Sequence, residues 1–179
     1  GQVVISGSAE GVAKAVELAK ANAGAKAIML NVSGAFHSKY MQEAGQRLIV
    51  EFAKIKFNSL KFPVAANVSA EYYKDASEIK DKLIAQVSGS VLWEDSMRLM
   101  VKDGITTFME IGPGTVLKGL ARRIDSNIKV YNLGIPGSST SEQIKRLSAF
   151  IGEKKIDLVI LLTGGNNYYE VKARENKSF

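Results

Sequence analysis

Cysteine is absent from this chain of 179 residues. That excludes disulfides, thiolate nucleophiles and cysteine metal sites, and it suits a reducing compartment, so a cytoplasmic location is expected. Histidine occurs once, as His37. A zinc centre draws on several His or Cys ligands, so no metal site is expected. Long apolar runs are missing too. The tail's longest, Leu158 to Leu162, falls far short of the roughly 20 residues that cross a bilayer, and no membrane partner is expected. No basic-then-apolar leader precedes the first strand-like segment, so secretion has no support. No internal repeat is visible.

What is present is an ordinary globular composition, 46% hydrophobic and 23% charged, which excludes a disordered chain. The net charge of +6 suits acidic or anionic partners. Basic residues such as Lys14, Lys20, Lys54, Lys80, Arg98 and Lys118 are scattered. Without a Lys/Arg block interleaved with aromatics, nucleic acid is not expected as a partner.

The pattern alternates strands and helices. Val3 to Ser6 reads as a strand, Ser8 as the cap of a helix with Val12, Ala15, Val16 and Ala19 on one face, and Ala27 to Val32 as a second strand. A helix from about Lys39 to Lys54 carries Met41, Ala44, Leu48 and Phe52, and Val64 to Val68 reads as a buried strand. Asp75 and Glu78 form a capping-box pattern ahead of Ile79, Leu83 and Val87, and Trp93, Met97 and Met100 mark another helix. Thr106 to Ile111 is a strand, Gly112-Pro113-Gly114 a turn, Val116 to Ile124 a helix and Lys129 to Leu133 a strand. Thr140 with Gln143 starts a last helix. The fold class is α/β with a largely parallel sheet.

His37 stands just past a strand, in Val-Ser-Gly-Ala-Phe-His-Ser at 32–38, and binding crevices form at strand ends of that kind. A lone loop histidine is also a common structural residue, and position alone leaves both roles open. Gly112-Pro113-Gly114 lacks the third glycine of a dinucleotide fingerprint, since residue 117 is Leu. It reads as a tight turn instead.

Five segments occur together and in order: Gly-Gln-Val-Val-Ile-Ser-Gly at 1–7, the 32–38 segment, Ala-Asn-Val-Ser-Ala at 66–70, Val-Leu-Trp-Glu-Asp-Ser at 91–96 and Glu-Ile-Gly-Pro-Gly-Thr-Val-Leu-Lys-Gly-Leu at 110–120. Over roughly residues 1–150 the chain resembles the malonyl-CoA:acyl carrier protein transacylases of bacterial fatty acid synthesis, and more distantly the acyltransferase domains of polyketide synthases. The resemblance implies part of an α/β-hydrolase-like core over 33–150, part of a small ferredoxin-like subdomain over 1–32, and an unassigned tail over 151–179. It implies malonyl-CoA and the acidic acyl carrier protein as partners, with coenzyme A thioester as substrate and no cofactor. His37 falls on the family's general base, and the backbone carbonyl of Gln86 on the group that orients it. Phe36 falls where a bulky ring accompanies malonyl rather than methylmalonyl specificity.

The chain departs from the family in one decisive respect. No Gly-x-Ser-x-Gly nucleophile elbow occurs in it, so the serine that His37 would activate is expected in an upstream part of the same enzyme. Gly1 in place of an initiating Met points the same way. The alternative is a noncatalytic half-domain that binds acyl carrier protein or complements a partner chain. Residues 153–179 match nothing in the family; Leu158 to Leu162 reads as a buried strand, with Tyr168 to Val171 able to pair back as a hairpin.

Overall fold

The computed structural model describes residues 2–22, 25–111, 114–133, 140–151 and 158–161. The chain divides into two compact units, Gly1–Ser96 and Met97–Phe179.

The first unit is mainly helical. Helix α1 (Ala9–Ala21) starts at Ser8, whose hydroxyl accepts the Gly11 amide at 3.1 Å, the ordinary N-cap bond. A 3-10 turn at Lys39–Met41 leads into α2 (Gln42–Ala53). Strands β1 (Ala65–Ala66) and β2 (Glu71–Tyr72) form a small antiparallel hairpin, and α3 (Ser77–Ser88) follows. Asp75 accepts both the amide and the hydroxyl of Ser77, while Glu78 reaches back to the Lys74 amide at 3.3 Å. Asp75 and Glu78 thus hold the entry to α3, although its N-cap residue, Ala76, makes no side-chain cap bond and the two acids do not form a reciprocal capping box.

Helices α2 and α3 pack against each other, and Gly45 is the one buried residue of α2. A Cβ on Gly45 would lie 3.3 Å from the Ile84 carbonyl oxygen, so the missing side chain sets how closely the two helices approach.

Three sequence expectations differ here. Val3–Ser6 and Ala27–Val32 belong to no sheet among the described residues. Their apolar side chains are open to solvent, Val3 at 86% and Ile28 at 69%. β-branched composition favours a pleated, half-buried surface, but a strand exists only where a neighbour takes its backbone hydrogen bonds, and these segments have none in this unit. Val64–Val68 shortens to the two-residue β1 because the chain turns back on itself at once, with the Ala70 amide donating to Ala66 O at 2.9 Å.

The division of the chain falls within α4 (Trp93–Lys102). The second unit then runs β3 (Thr107–Ile111), α5 (Val116–Ile124), β4 (Lys129–Asn132), α6 (Thr140–Ile151) and β5 (Leu158–Leu161). The sheet is parallel, in the order β4-β3-β5. Phe108, Met109, Glu110 and Ile111 of the central strand are each at most 2% exposed, the double-sided burial that a parallel sheet imposes. The tail's apolar run is thus the second neighbour of β3, in register from Phe108–Leu158 to Ile111–Leu161. The Tyr168–Val171 pairing and Gly112-Pro113 lie outside the described residues.

Candidate active site around His37

The segment that carries His37 is a tight turn. The Ser38 hydroxyl donates to the Ala35 carbonyl at 2.6 Å and accepts the Tyr40 amide at 3.3 Å, and the Met41 amide donates to Ser38 O at 2.9 Å. Ser38 thereby closes the turn and caps the 3-10 helix at once. His37 sits between these bonds with φ of 58°. That left-handed backbone is costly for a residue with a Cβ and clusters at functional positions.

The same turn faces the C-terminal end of α3. His37 Nδ1 lies 2.9 Å from the Gln86 carbonyl oxygen and 3.2 Å from that of Gly89. Both oxygens are acceptors only, so Nδ1 must carry the proton and donate. In the neutral ring Nε2 is then the nitrogen without a proton. Carbonyls in the last helical turn have run out of helical amide partners and carry the negative end of the helix dipole. An imidazole donating there is oriented by partial charge rather than by a carboxylate. His37 is exposed, so Nε2 is not walled off within this unit. Ser38, Lys39 and Tyr40 line an open cleft together with Ile5, Gly7 and Ser8.

Phe36 is 46% exposed. Its ring stays near the backbone, 3.7 Å from where a Gly34 Cβ would stand. It is therefore not a core side chain of this unit. Among the described residues no group of three or more His, Cys, Asp or Glu side chains could hold a metal ion, and no helix is long and apolar enough to cross a membrane.

One buried polar cluster escaped the sequence reading. Glu110 on β3 is 2% exposed, and its carboxylate accepts the amides of Leu117 at 3.1 Å and Lys118 at 3.0 Å and the Asn132 side-chain amide at 2.7 Å. Asn132 also donates to the Gly114 carbonyl at 2.8 Å. Glu110 thus caps α5 from the neighbouring strand, a duty that Thr115 leaves open by making no side-chain cap bond. The available signal was an acidic residue inside an apolar strand, which is rarely buried unless it is paired.

No family model matches the chain. The malonyl CoA-acyl carrier protein transacylase of Bacillus subtilis is 42% identical over 136 residues, covering 76% of this chain and 43% of that protein. That of Synechocystis is 38% identical over 133 residues, covering 74% and 44%. The crystal structure of acyl-carrier-protein-S-malonyltransferase from Bartonella henselae superimposes with a TM-score of 0.69 at 35% identity, over 82% of this chain and 45% of that one. The chain is a homologue of part of the malonyl CoA-acyl carrier protein transacylases. It spans a little under half the length of the transacylases it matches. The mixed helix-and-strand architecture read from the sequence agrees with the solved transacylases.

Proposed function

We propose that this chain supplies the general acid–base half of a malonyl transacylase. Malonyl would pass from malonyl-CoA to a serine hydroxyl on a segment outside these residues, then to the phosphopantetheine thiol of acyl carrier protein, as a step of cytoplasmic fatty acid synthesis. The observation that carries the reading is the hydrogen bond from His37 Nδ1 to the Gln86 carbonyl. In the neutral ring it leaves Nε2 as the nitrogen able to take a proton.

In the first half-reaction His37 Nε2 removes the serine proton as the oxygen attacks the thioester carbonyl. The tetrahedral intermediate collapses with loss of coenzyme A thiolate, which takes that proton from the imidazolium. The second half-reaction runs the same way with the carrier thiol as nucleophile. His37 deprotonates it, the thiolate attacks the seryl ester, and the proton returns to the serine oxygen as it leaves. Each half-reaction is an acyl exchange with no change of oxidation state, and the proposal includes no resident cofactor. Gln86 acts through its carbonyl, and Phe36 beside the base would crowd a methyl branch on the acyl α-carbon.

We assign residues 33–150 to part of an α/β-hydrolase-like core and 1–32 to part of a small ferredoxin-like subdomain. The family resemblance and the agreement with solved transacylases support that finer description. The tail, 151–179, lies beyond this assignment, although β5 joins the sheet of the second unit.

The test is a chimera in which residues 1–150 replace the matching segment of the Bacillus subtilis transacylase. It is expected to move radiolabelled malonyl from coenzyme A to acyl carrier protein. A folded chimera that binds acyl carrier protein without transferring malonyl would favour the noncatalytic half-domain and overturn the enzymatic reading.

A further inference from the structure

We infer that Gly89 is a second positioning residue for His37, and that its lack of a side chain is what lets the end of α3 close on the imidazole. The inference rests on the reading of His37 as the base.

Gly89 performs two tasks at the helix end. Its amide donates to the Ala85 carbonyl at 2.9 Å, finishing α3, and its extended backbone, φ −86° and ψ 158°, turns its own carbonyl to within 3.2 Å of His37 Nδ1. The Gln86 carbonyl reaches the same nitrogen from one turn earlier. A ring held by one acceptor can swing about that bond. Two acceptors converging on a single N–H fix its direction, which matters when neither acceptor carries a full charge.

The space around Gly89 explains why residue type counts here. A Cβ would meet Val68 Cγ2 at 2.8 Å and the Ala85 carbonyl at 2.9 Å, both inside van der Waals contact. Val68 is not free to retreat unhindered. It follows β1, and its neighbour Asn67 accepts the Leu92 amide at 2.8 Å, which ties the hairpin to the chain just past Gly89. A side chain at 89 therefore pushes the helix end, with its carbonyl, away from the hairpin. Gln86 is different, because the bond to His37 uses its backbone carbonyl and not its side chain.

His37 is the sole histidine, so long-range proton–nitrogen NMR on the 15N-labelled chain reads one imidazole and reports its tautomer directly. Wild type is expected to hold the neutral ring as Nδ1–H. Gly89→Ala should raise the Nε2–H share about fivefold, the worth of one ordinary net hydrogen bond. Gln86→Ala should leave it unchanged. Val68→Ala added to Gly89→Ala removes the closer of the two clashes and leaves the one with the Ala85 carbonyl, so it should return the ratio part of the way toward wild type; if the single variant fails to fold, as judged by circular dichroism, this pair carries the test. A folded Gly89→Ala chain with the wild-type tautomer overturns the positioning role. A folded double variant whose ratio is no nearer wild type than that of Gly89→Ala overturns the part assigned to Val68. Predominant Nε2–H in wild type would instead remove the proposed base itself, so the two failures are distinguishable.

Discussion

Asn132 donates its side-chain amide at 2.7 Å to Glu110, a carboxylate buried on the strand next to its own. With the Leu117 and Lys118 amides, this leaves Glu110 with three donors and α5 with a cap delivered across the turn. Glu110→Ala removes the side-chain acceptor from the Leu117 and Lys118 amides, while Asn132 keeps its bond to the Gly114 carbonyl, and a buried donor left unpaired costs about 1–3 kcal/mol before relaxation. The expected net loss is about 2–4 kcal/mol in urea unfolding, the range of a broken buried network. Glu110→Gln keeps one acceptor oxygen and should lose less. Equal stability of Glu110→Ala and wild type would show that the network is ornamental.

The helices were legible because each carries an apolar stripe, as in Met41 to Phe52 and Val116 to Ile124, and β3 was legible because burial on both faces makes it short and largely apolar. The strands read at Val3–Ser6 and Ala27–Val32 failed because pairing is nonlocal: nothing in a β-branched run says whether a partner is present. The site divides in the same way. His37 stood out as the only imidazole, whereas Gln86 entered through family resemblance, since a carbonyl leaves no mark on residue type. The left-handed backbone of His37 and the squeeze on Gly89 are tertiary facts, and Glu110 was visible only as an acid out of place.

Gly45 offers a test of the contact that holds α3 against α2. Its hypothetical Cβ stands 3.3 Å from the Ile84 carbonyl and 3.8 Å from Val87 Cβ. Gly45→Ala gains helix propensity of about 1 kcal/mol against a few tenths of an ångström of crowding, and should be near neutral. Gly45→Leu cannot fit, and overpacking of this kind costs about 1–3 kcal/mol. Because α3 also presents Gln86 to His37, Gly45→Leu should shift the single imidazole resonance, and Gly45→Ala should not. Identical spectra for the two variants would count against the geometry.

Acid should weaken the start of α3. The Ser77 hydroxyl and amide hold the Asp75 carboxyl below its ordinary value, and the Lys82 ammonium, with the Lys74 amide, does the same for Glu78. Depressed folded values mean that the native state binds fewer protons than the unfolded one. Their contribution is therefore complete above the ordinary 3.8 and 4.5 and is lost as pH falls through the lower folded values. Asp75 is exposed and Glu78 half-buried at the surface, and the effect should be small. It should appear as an acid limb of helix loss that flattens in the Asp75→Asn, Glu78→Gln double variant. An unchanged limb would assign the acid sensitivity to other groups.

Phe36, next to the proposed base His37, sets an expectation for selectivity. In the chimera, Phe36→Ser should narrow the malonyl-to-methylmalonyl ratio of kcat/KM by about tenfold, the worth of one crowded methyl. A fixed ratio would remove Phe36 from the substrate pocket.

His37 itself permits a separation of chemistry from folding. Its φ of 58° costs an L-residue about 1–2 kcal/mol, whereas glycine adopts it freely. Both His37→Ala and His37→Gly remove the imidazole and its bonds to Gln86 and Gly89. Both should therefore slow malonyl transfer in the chimera by about 10²–10⁴, the usual contribution of a general acid–base group. Both half-reactions should suffer, because one ring serves both thioesters. Stability should tell the variants apart. Alanine retains the strained backbone without the hydrogen bonds that offset it, so His37→Gly should melt higher than His37→Ala, by the part of that strain which glycine's extra unfolded-state entropy does not cancel. Equal melting with equal loss of activity would mean that the turn relaxes when the ring is gone. Wild-type transfer rates in either variant would mean that another group is the base.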